Sequence, residues 1–274
     1  MLQEIIAKAP LYLLVGVRCF AFIMTLPLFS SRTVSRIAKV TLAIYFAYLI
    51  APRLSFAAGT FSAYATFITP EGTFNLEFIF LLIGEGLIGL IMGFFISIIF
   101  AAFSTAGQFF AFQMGFSASE VYDALSQVEN PLMGQYLNLV AMLVFMQTGC
   151  FQTLFSDGLL SSFEHLNAMS IVEHNDEMIK FLLLGLTKLF RDAIVIALPL
   201  MGTLFLINVS MGILAKASPQ MNLLAEGFPI LILSSFFILT VLLPYFINFA
   251  DRSFEAAFRS LGNFFSSISW GGGS

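Results

Sequence analysis

The chain has 274 residues, of which 59% are hydrophobic and 10% are charged, with a formal net charge of −4 and a mean hydropathy of +0.94. Soluble globular domains are about half apolar and about a quarter charged, so too few polar residues remain here to coat a soluble domain. The composition therefore predicts several helices in or against a membrane. The absence of a basic stripe argues against binding to nucleic acid.

Six continuous apolar segments follow one another along the chain, at residues 11–29, 40–51, 78–103, 132–155, 193–215 and 228–250. A helix that crosses the hydrocarbon layer needs about 20 apolar residues. Four segments reach this length easily, the first does so only by including Arg18, and the second is short. Because the runs are continuous, without the alternation of strands, the sequence predicts an all-α fold of about six long apolar helical segments.

The basic residues are unevenly distributed. No Lys or Arg occurs from residue 54 to residue 179, although many acidic residues do. By the positive-inside rule, the basic cluster Arg32, Arg36 and Lys39 places the first loop in the cytoplasm. The middle of the chain gives no orientation, so a simple six-span topology is poorly supported.

Ionisable residues interrupt the apolar segments at Arg18, at Glu85 and in the group Lys188, Arg191 and Asp192. Such groups are costly inside a membrane and usually face protein or water. We expect them to pair with neighbouring subunits or chain segments; a proton relay or a pore-lining carboxylate at Glu85 is the alternative. Lys188 and Asp192 have the spacing of an i, i+4 pair on one helix.

Glycines recur in the third apolar segment. Gly86, Gly89 and Gly93 fall at i, i+3 and i+7, so they line one helix face. Small residues in this arrangement let a second helix approach closely. The ordinary tolerance of membrane helices for glycine explains the pattern equally well.

The sequence contains no pattern typical of a catalytic or metal site. His165 and His174 lie in an acidic stretch, with no third ligand at a metal-like spacing. A nucleophile elbow and a glycine loop with a phosphate-binding lysine are both missing. We therefore expect no enzyme activity, no metal and no cofactor.

Three stretches, taken in order, resemble the FliR family of flagellar biosynthesis proteins. They are VRCFAFIMTLPLFSSRTVSRIAKVTLAIYFAYLIAP, then GEGLIGLIMGFFISIIFAAFSTAGQFFAFQMGFSASEVYD with the turn ENPLMGQ, and last GILAKASPQMNLLAEGFPILI. The resemblance covers residues 1–265. This family is similar to the matching inner-membrane subunit of virulence type III secretion systems, so virulence cargo is the alternative to flagellar cargo.

The resemblance implies one subunit of a protein export gate in the bacterial inner membrane, at the flagellar basal body. FliP-like and FliQ-like subunits and the large export gate protein are the implied partners, and unfolded proteins are the substrates. It also implies that residues 1–178 form a FliP-like helical part and that residues 179–265 form a FliQ-like helical hairpin. We interpret residues 266–274 as a tail whose last residues were added for expression of the protein.

Residues 107–123, GQFFAFQMGFSASEVYD, resemble the pore loop of that family, which blocks the channel when no substrate is present. The expected plug combines glycine hinges with apolar bulk that can close a pore by excluding water. A packed turn between helices is the alternative. The expected plug residues are Gly107, Phe109, Phe110, Phe112, Met114, Gly115 and Phe116.

Contacts with other subunits are expected in two places. One is formed by the charged residues of the apolar segments, and the other is the stretch KASPQMNLLAEGFP, where Pro219 and Pro229 interrupt the helix. A re-entrant turn is the alternative for the second place. The expected contact residues are Arg18, Glu85, Lys216, Gln220, Asn222 and Glu226.

Two other classes of membrane protein compete with the export gate. A small-solute transporter predicts inverted repeats and a polar cluster near the middle of the membrane, and the sequence shows neither. A purely structural scaffold differs only in lacking a pore, and the plug-like loop argues against it.

Overall fold

The structure, a computed structural model, describes residues 2–30, 34–56, 59–67, 75–114, 132–218 and 227–268. Within these ranges the chain is helical apart from short turns, and no β-strand is formed there. The predicted all-α fold is therefore confirmed.

The described residues form four long helices and six shorter ones. In chain order they are α1 (Leu2–Thr25), α2 (Pro27–Ser30), α3 (Arg36–Ile50), α4 (Leu76–Gln113), α5 (Leu132–Gln147), α6 (Cys150–Thr153), α7 (Ser161–His165), α8 (Ala168–Glu173), α9 (Asn175–Ala217) and α10 (Phe228–Ile268). Two 3-10 turns, Ala51–Arg53 and Thr60–Tyr64, precede α4, and a π-helix, Leu154–Leu160, joins α6 to α7.

Four helices, α1, α4, α9 and α10, are long and apolar enough to cross a membrane. A fifth span results if α5 and Cys150–His165, which meet at 78°, count as one bent segment. The bend falls at Gly149, whose φ of +73° is readily adopted by glycine. The short apolar segment 40–51 lies mostly in the 15-residue α3, and a helix of that length spans only about 22 Å.

The chain divides into two compact units, and the first comprises Met1–Ile98, Gly149–Gly185 and Glu255–Ser274. Here α1 packs along α3 and against the first part of α4. A Cβ at Gly89 would collide with the carbonyl oxygen of Arg18, and one at Gly93 would lie 2.9 Å from the carbonyl oxygen of Phe22. The glycine stripe therefore does admit a second helix, and that helix is α1 of the same chain.

The second unit comprises Ile99–Thr148 and Leu186–Phe254. Its core includes three buried rings, Phe100, Phe145 and Phe254, whose centroids lie 5.0–5.4 Å apart. A Cβ at Gly107 would lie 2.5 Å from Cα of Gly134. Because Gly107 faces Gly134 while Phe100 contacts Phe145, α4 and α5 run antiparallel in this unit.

Within the second unit, α9 and α10 are also antiparallel. Lys188 donates to the carbonyl of Ser253 at 3.4 Å, and the Tyr245 hydroxyl donates to the carbonyl of Val195 at 3.3 Å. The Val195 carbonyl has no intrahelical partner because Pro199, four residues on, lacks an N–H. Tyr245 supplies the missing donor.

The predicted boundaries near the C-terminus need one correction. The tail expected from residue 266 begins inside a helix, since α10 continues to Ile268. Phe264, Phe265 and Ile268 are buried at this end of α10, so packing holds the extension. The predicted division between residues 178 and 179 falls inside α9, which begins at Asn175; the likeness of either part to FliP or FliQ stays a prediction.

Candidate functional site

The first site is built around Arg18, a completely buried guanidinium in α1. Its Nε donates to Oε2 of Glu85 at 2.6 Å. Its Nη1 donates to the carbonyl and hydroxyl oxygens of Ser162 at 2.7 and 3.2 Å, and its Nη2 donates to the carbonyl of Leu166 at 2.9 Å. One cation therefore joins α1 and α4 to the segment around α7.

The second carboxylate oxygen of Glu85 is also occupied. The Tyr64 hydroxyl donates to Oε1 at 2.5 Å, and the same hydroxyl accepts from the backbone N–H of Ala168. Burial raises the pKa of Tyr64 well above its ordinary value, and the negative charge of Glu85 raises it further. The phenol therefore stays neutral and keeps the proton that it donates.

Aromatic rings complete the enclosure of the guanidinium. The carbon Cζ of Arg18 lies 4.2 Å from the ring centroid of Phe163 and 5.9 Å from that of Phe61. Such cation–π contacts contribute about 0.5–2 kcal/mol, and they also exclude water from the ion pair. We refer to Arg18, Glu85, Tyr64, Ser162 and Phe163 as the Arg18 cluster.

The Arg18 cluster is suited to holding helices together. A buried charge without a partner costs several kcal/mol, whereas here both charges are paired and hydrogen-bonded. The two side chains are fully buried within the chain, so the partner that the structure gives Arg18 is a segment of this chain rather than a neighbouring subunit. The enclosure also favours this structural role over the proton relay considered for Glu85.

The second site is the end of α4, where the sequence predicts a pore loop from Gly107. That starting point is wrong: α4 continues as a helix to Gln113. The helix continues because Gly107 packs on the Gly134 backbone instead of acting as a hinge, and no proline lies between Gly107 and Gln113. Phe110 and Met114 are buried, Phe109 is partly buried and Phe112 is 74% exposed.

The remaining expected residues are placed only in part. Gly115, Phe116, Gln220, Asn222 and Glu226 lie outside the described residues, and Lys216 is exposed in the last turn of α9. Their roles in plugging or subunit contact stay predictions.

The expected pair of Lys188 with Asp192 is replaced by other contacts. Lys188 donates to the Ser253 carbonyl. Oδ1 of Asp192 accepts from Nε of Arg191 at 3.4 Å, and Oδ2 of Asp192 accepts from the Ser253 hydroxyl at 3.3 Å. The nearby α10 backbone competes for the lysine, because Ser253 lies between the two charged side chains.

Sequence reasoning missed three hydrogen-bonding participants, Tyr64, Ser162 and Asn208, and the ring of Phe163. Asn208 donates to Oε1 of Gln113 at 3.3 Å, so it contacts the last residue of α4. No short-range signal marks any of them, since each contacts a residue at least 21 positions away. For Asn208 the one available clue is a polar residue within an apolar stretch.

Comparison with known proteins identifies the family. Residues 9–257 match the model for bacterial export proteins, family 1. The flagellar biosynthetic protein FliR of Bacillus subtilis (strain 168) is 28% identical over 96% of this chain and 97% of its own length. FliR of Borreliella burgdorferi is 30% identical over 69% of this chain and 71% of its own length. The surface presentation of antigens protein SpaR of Shigella flexneri is 28% identical over 59% and 62%. With a family match that spans most of its length, this chain belongs to family 1 of the bacterial export proteins.

Proposed function

We propose that this chain is a core subunit of the flagellar type III protein export gate, and that it helps to form and close the pore for unfolded flagellar proteins. The near end-to-end similarity to a flagellar relative carries this proposal. Similarity to the virulence protein covers a smaller part of the chain, so flagellar cargo is preferred to virulence cargo.

The proposed partners are FliP-like and FliQ-like subunits and the large export gate protein, in the inner membrane at the flagellar basal body. Exposed apolar side chains on the α9–α10 hairpin support partners of this kind. Leu198 and Phe205 on α9 and Leu233 and Phe237 on α10 are all largely exposed in the isolated chain. Such a surface is stable only against lipid or other apolar helices.

The proposed plug begins at the end of α4 rather than at Gly107. Phe112 projects from the last turn, and Met114 follows the helix end directly. Exposed apolar side chains such as Phe112 close a pore by dewetting it.

A complementation experiment tests the proposed function. A strain that lacks this chain should secrete no flagellar proteins, and expression of the chain should restore both secretion and motility. Normal secretion without the chain would refute the export role. Secretion is measured in culture supernatant against total cellular protein, so that loss of expression is separated from loss of export.

A conductance experiment tests the plug. Replacing residues 115–119 with a Gly-Ser sequence of equal length leaves Phe110 and Met114 in place and so preserves the buried end of α4. We expect a larger ion leak through the assembled gate in a planar bilayer. Removal of the terminal WGGGS is the control. A leak equal to that of the unmodified gate would mean that these residues do not close the pore.

A further inference from the structure

The last part of α4 and the whole of α5 contain no side chain that is charged at neutral pH. Residues 99–113 and 132–147 include no Asp, Glu, Lys, Arg or His. Their polar side chains are amides and hydroxyls, among them Gln108 and Gln135, which directly follow the two glycines in contact. Uncharged polar residues are therefore concentrated where the two helices meet most closely.

Helix geometry places four of these side chains on one side of the α4–α5 pair. Successive residues of a helix are rotated by about 100° around its axis. Two antiparallel helices turn in opposite senses when both are viewed from one end. The residue that follows each contact point therefore lies on the same side of the helix pair. Gln108 and Gln135 therefore share a side. Ser104 and Asn138, three residues before Gly107 and four after Gly134, lie on that side near the contact line. We call these four residues the amide face: Ser104, Gln108, Gln135 and Asn138.

The amide face has unused hydrogen-bonding capacity. Gln108 and Gln135 are exposed, so their amides can be reached from outside the chain, whereas Oδ1 of Asn138, which has no hydrogen-bond partner among the described residues, is buried. Unsatisfied polar groups are unfavourable against hydrocarbon, so lipid is a poor occupant. Two exposed apolar side chains flank the face, Phe112 at 74% and Leu139 at 57%.

We propose that the amide face binds the backbone of the unfolded polypeptide during export, an inference that rests on the proposed function. A primary amide both donates and accepts hydrogen bonds, as a peptide group does. An extended chain carries a free N–H and C=O at nearly every residue, whereas a helix of another subunit has satisfied its own. Without charge, the face binds backbone while neither selecting nor rejecting charged side chains of the substrate.

Site-specific photocrosslinking in living cells tests this binding surface. A photoreactive phenylalanine replaces Gln108, Gln135 or, as a control, Leu143, which is 62% exposed on the side of α5 turned away from α4. The substrate is a flagellar protein fused to a stably folded domain, so that it stalls in the gate. We expect substrate adducts at positions 108 and 135, and none at position 143.

The outcomes separate the inference from the proposed function. Secretion that continues while positions 108 and 135 give no substrate adduct would overturn the amide face and leave the export role intact. An adduct of constant mass, independent of substrate, would assign the face to a neighbouring subunit and also overturn it. The export role itself is tested separately. It would be refuted if a strain that lacks the chain still secreted flagellar proteins.

A pair of double variants provides the second readout. Replacing both Gln108 and Gln135 with Leu should reduce secretion at least about fivefold, the effect of losing about one net hydrogen bond. Replacing both with Asn retains the amide groups and should largely restore secretion. Chain abundance in the membrane is measured in parallel. Equal secretion by the Leu and Asn variants at equal abundance would contradict the inference.

Discussion

The Arg18 cluster in the first compact unit and the amide face in the second are both polar features of an otherwise apolar chain, but they differ in completeness. In the Arg18 cluster, both charges are buried and both carboxylate oxygens accept a hydrogen bond. In the amide face, two amides are exposed and a third retains an unpartnered oxygen within the described residues.

The difference separates two reasons for placing a polar residue in an apolar helix. A group whose hydrogen bonds are all made inside the chain fixes helices in place, so its removal lowers the free energy of unfolding. A group whose hydrogen bonds are not made inside the chain is free to make them with a binding partner, so its removal weakens binding to that partner. The burial of a polar group and its hydrogen-bond partners inside the chain therefore distinguish the two roles better than its polarity alone.

The largest expected effect follows removal of the carboxylate. Glu85→Ala leaves the buried guanidinium of Arg18 without its counter-charge, so we expect the free energy of unfolding to fall by about 3–5 kcal/mol. Glu255→Ala is the matched control because its pair with Arg259 is exposed, at 62% and 75%, and should change stability by less than about 1 kcal/mol. Thermal unfolding in detergent measures both. Equal stability of the two variants would show that the ion pair does not hold α1 to α4.

A smaller loss is expected at the α4–α5 contact. In Gly107→Ala, the new methyl group would lie 2.5 Å from the Gly134 backbone and force the helices apart, at a cost of about 1–3 kcal/mol. Gly202→Ala is the control, since nothing lies within 4 Å of a Cβ there and alanine favours helix by up to about 1 kcal/mol. The two variants should shift the unfolding temperature in opposite directions. A stabilised Gly107→Ala variant would contradict the close approach of the helices.

The smallest effect on the free energy of unfolding is expected when the Tyr64 hydroxyl is removed. Tyr64→Phe removes a donor to Glu85 and an acceptor for the Ala168 N–H, which should cost about 1–2 kcal/mol. Tyr245→Phe removes one bond from a partly exposed tyrosine and should cost less than about 1 kcal/mol. Unfolding by denaturant compares the two. If Tyr245→Phe is the more destabilising, the hydroxyl of Tyr64 is not an essential part of the cluster.

Much of the fold could be predicted from the sequence because membrane helices are specified locally. Continuous apolar runs predicted the helices. The spacing of Gly86, Gly89 and Gly93 left a close helix partner and ordinary glycine tolerance equally open. That partner proved to be α1 of the same chain. These features depend on residues within a few turns of one another.

The sites were harder to predict because their contacts join distant parts of the chain. Arg18 contacts Glu85 and Ser162, which lie 67 and 144 positions away. Nothing near Gly107 in sequence shows that Gly134 packs on it, so the glycine was interpreted as a hinge. The amide face likewise depends on the direction of α5 relative to α4, which no local pattern encodes.

The most direct test of the contrast between the two sites is secretion per molecule of chain in the membrane, compared between Tyr64→Phe and the Gln108→Leu, Gln135→Leu double variant. We predict that Tyr64→Phe lowers the amount of chain while secretion per molecule is unchanged. The double variant should keep its abundance and lose secretion per molecule. The opposite assignment, or a parallel fall of both quantities in both variants, would contradict the division into a structural cluster and a substrate-binding face.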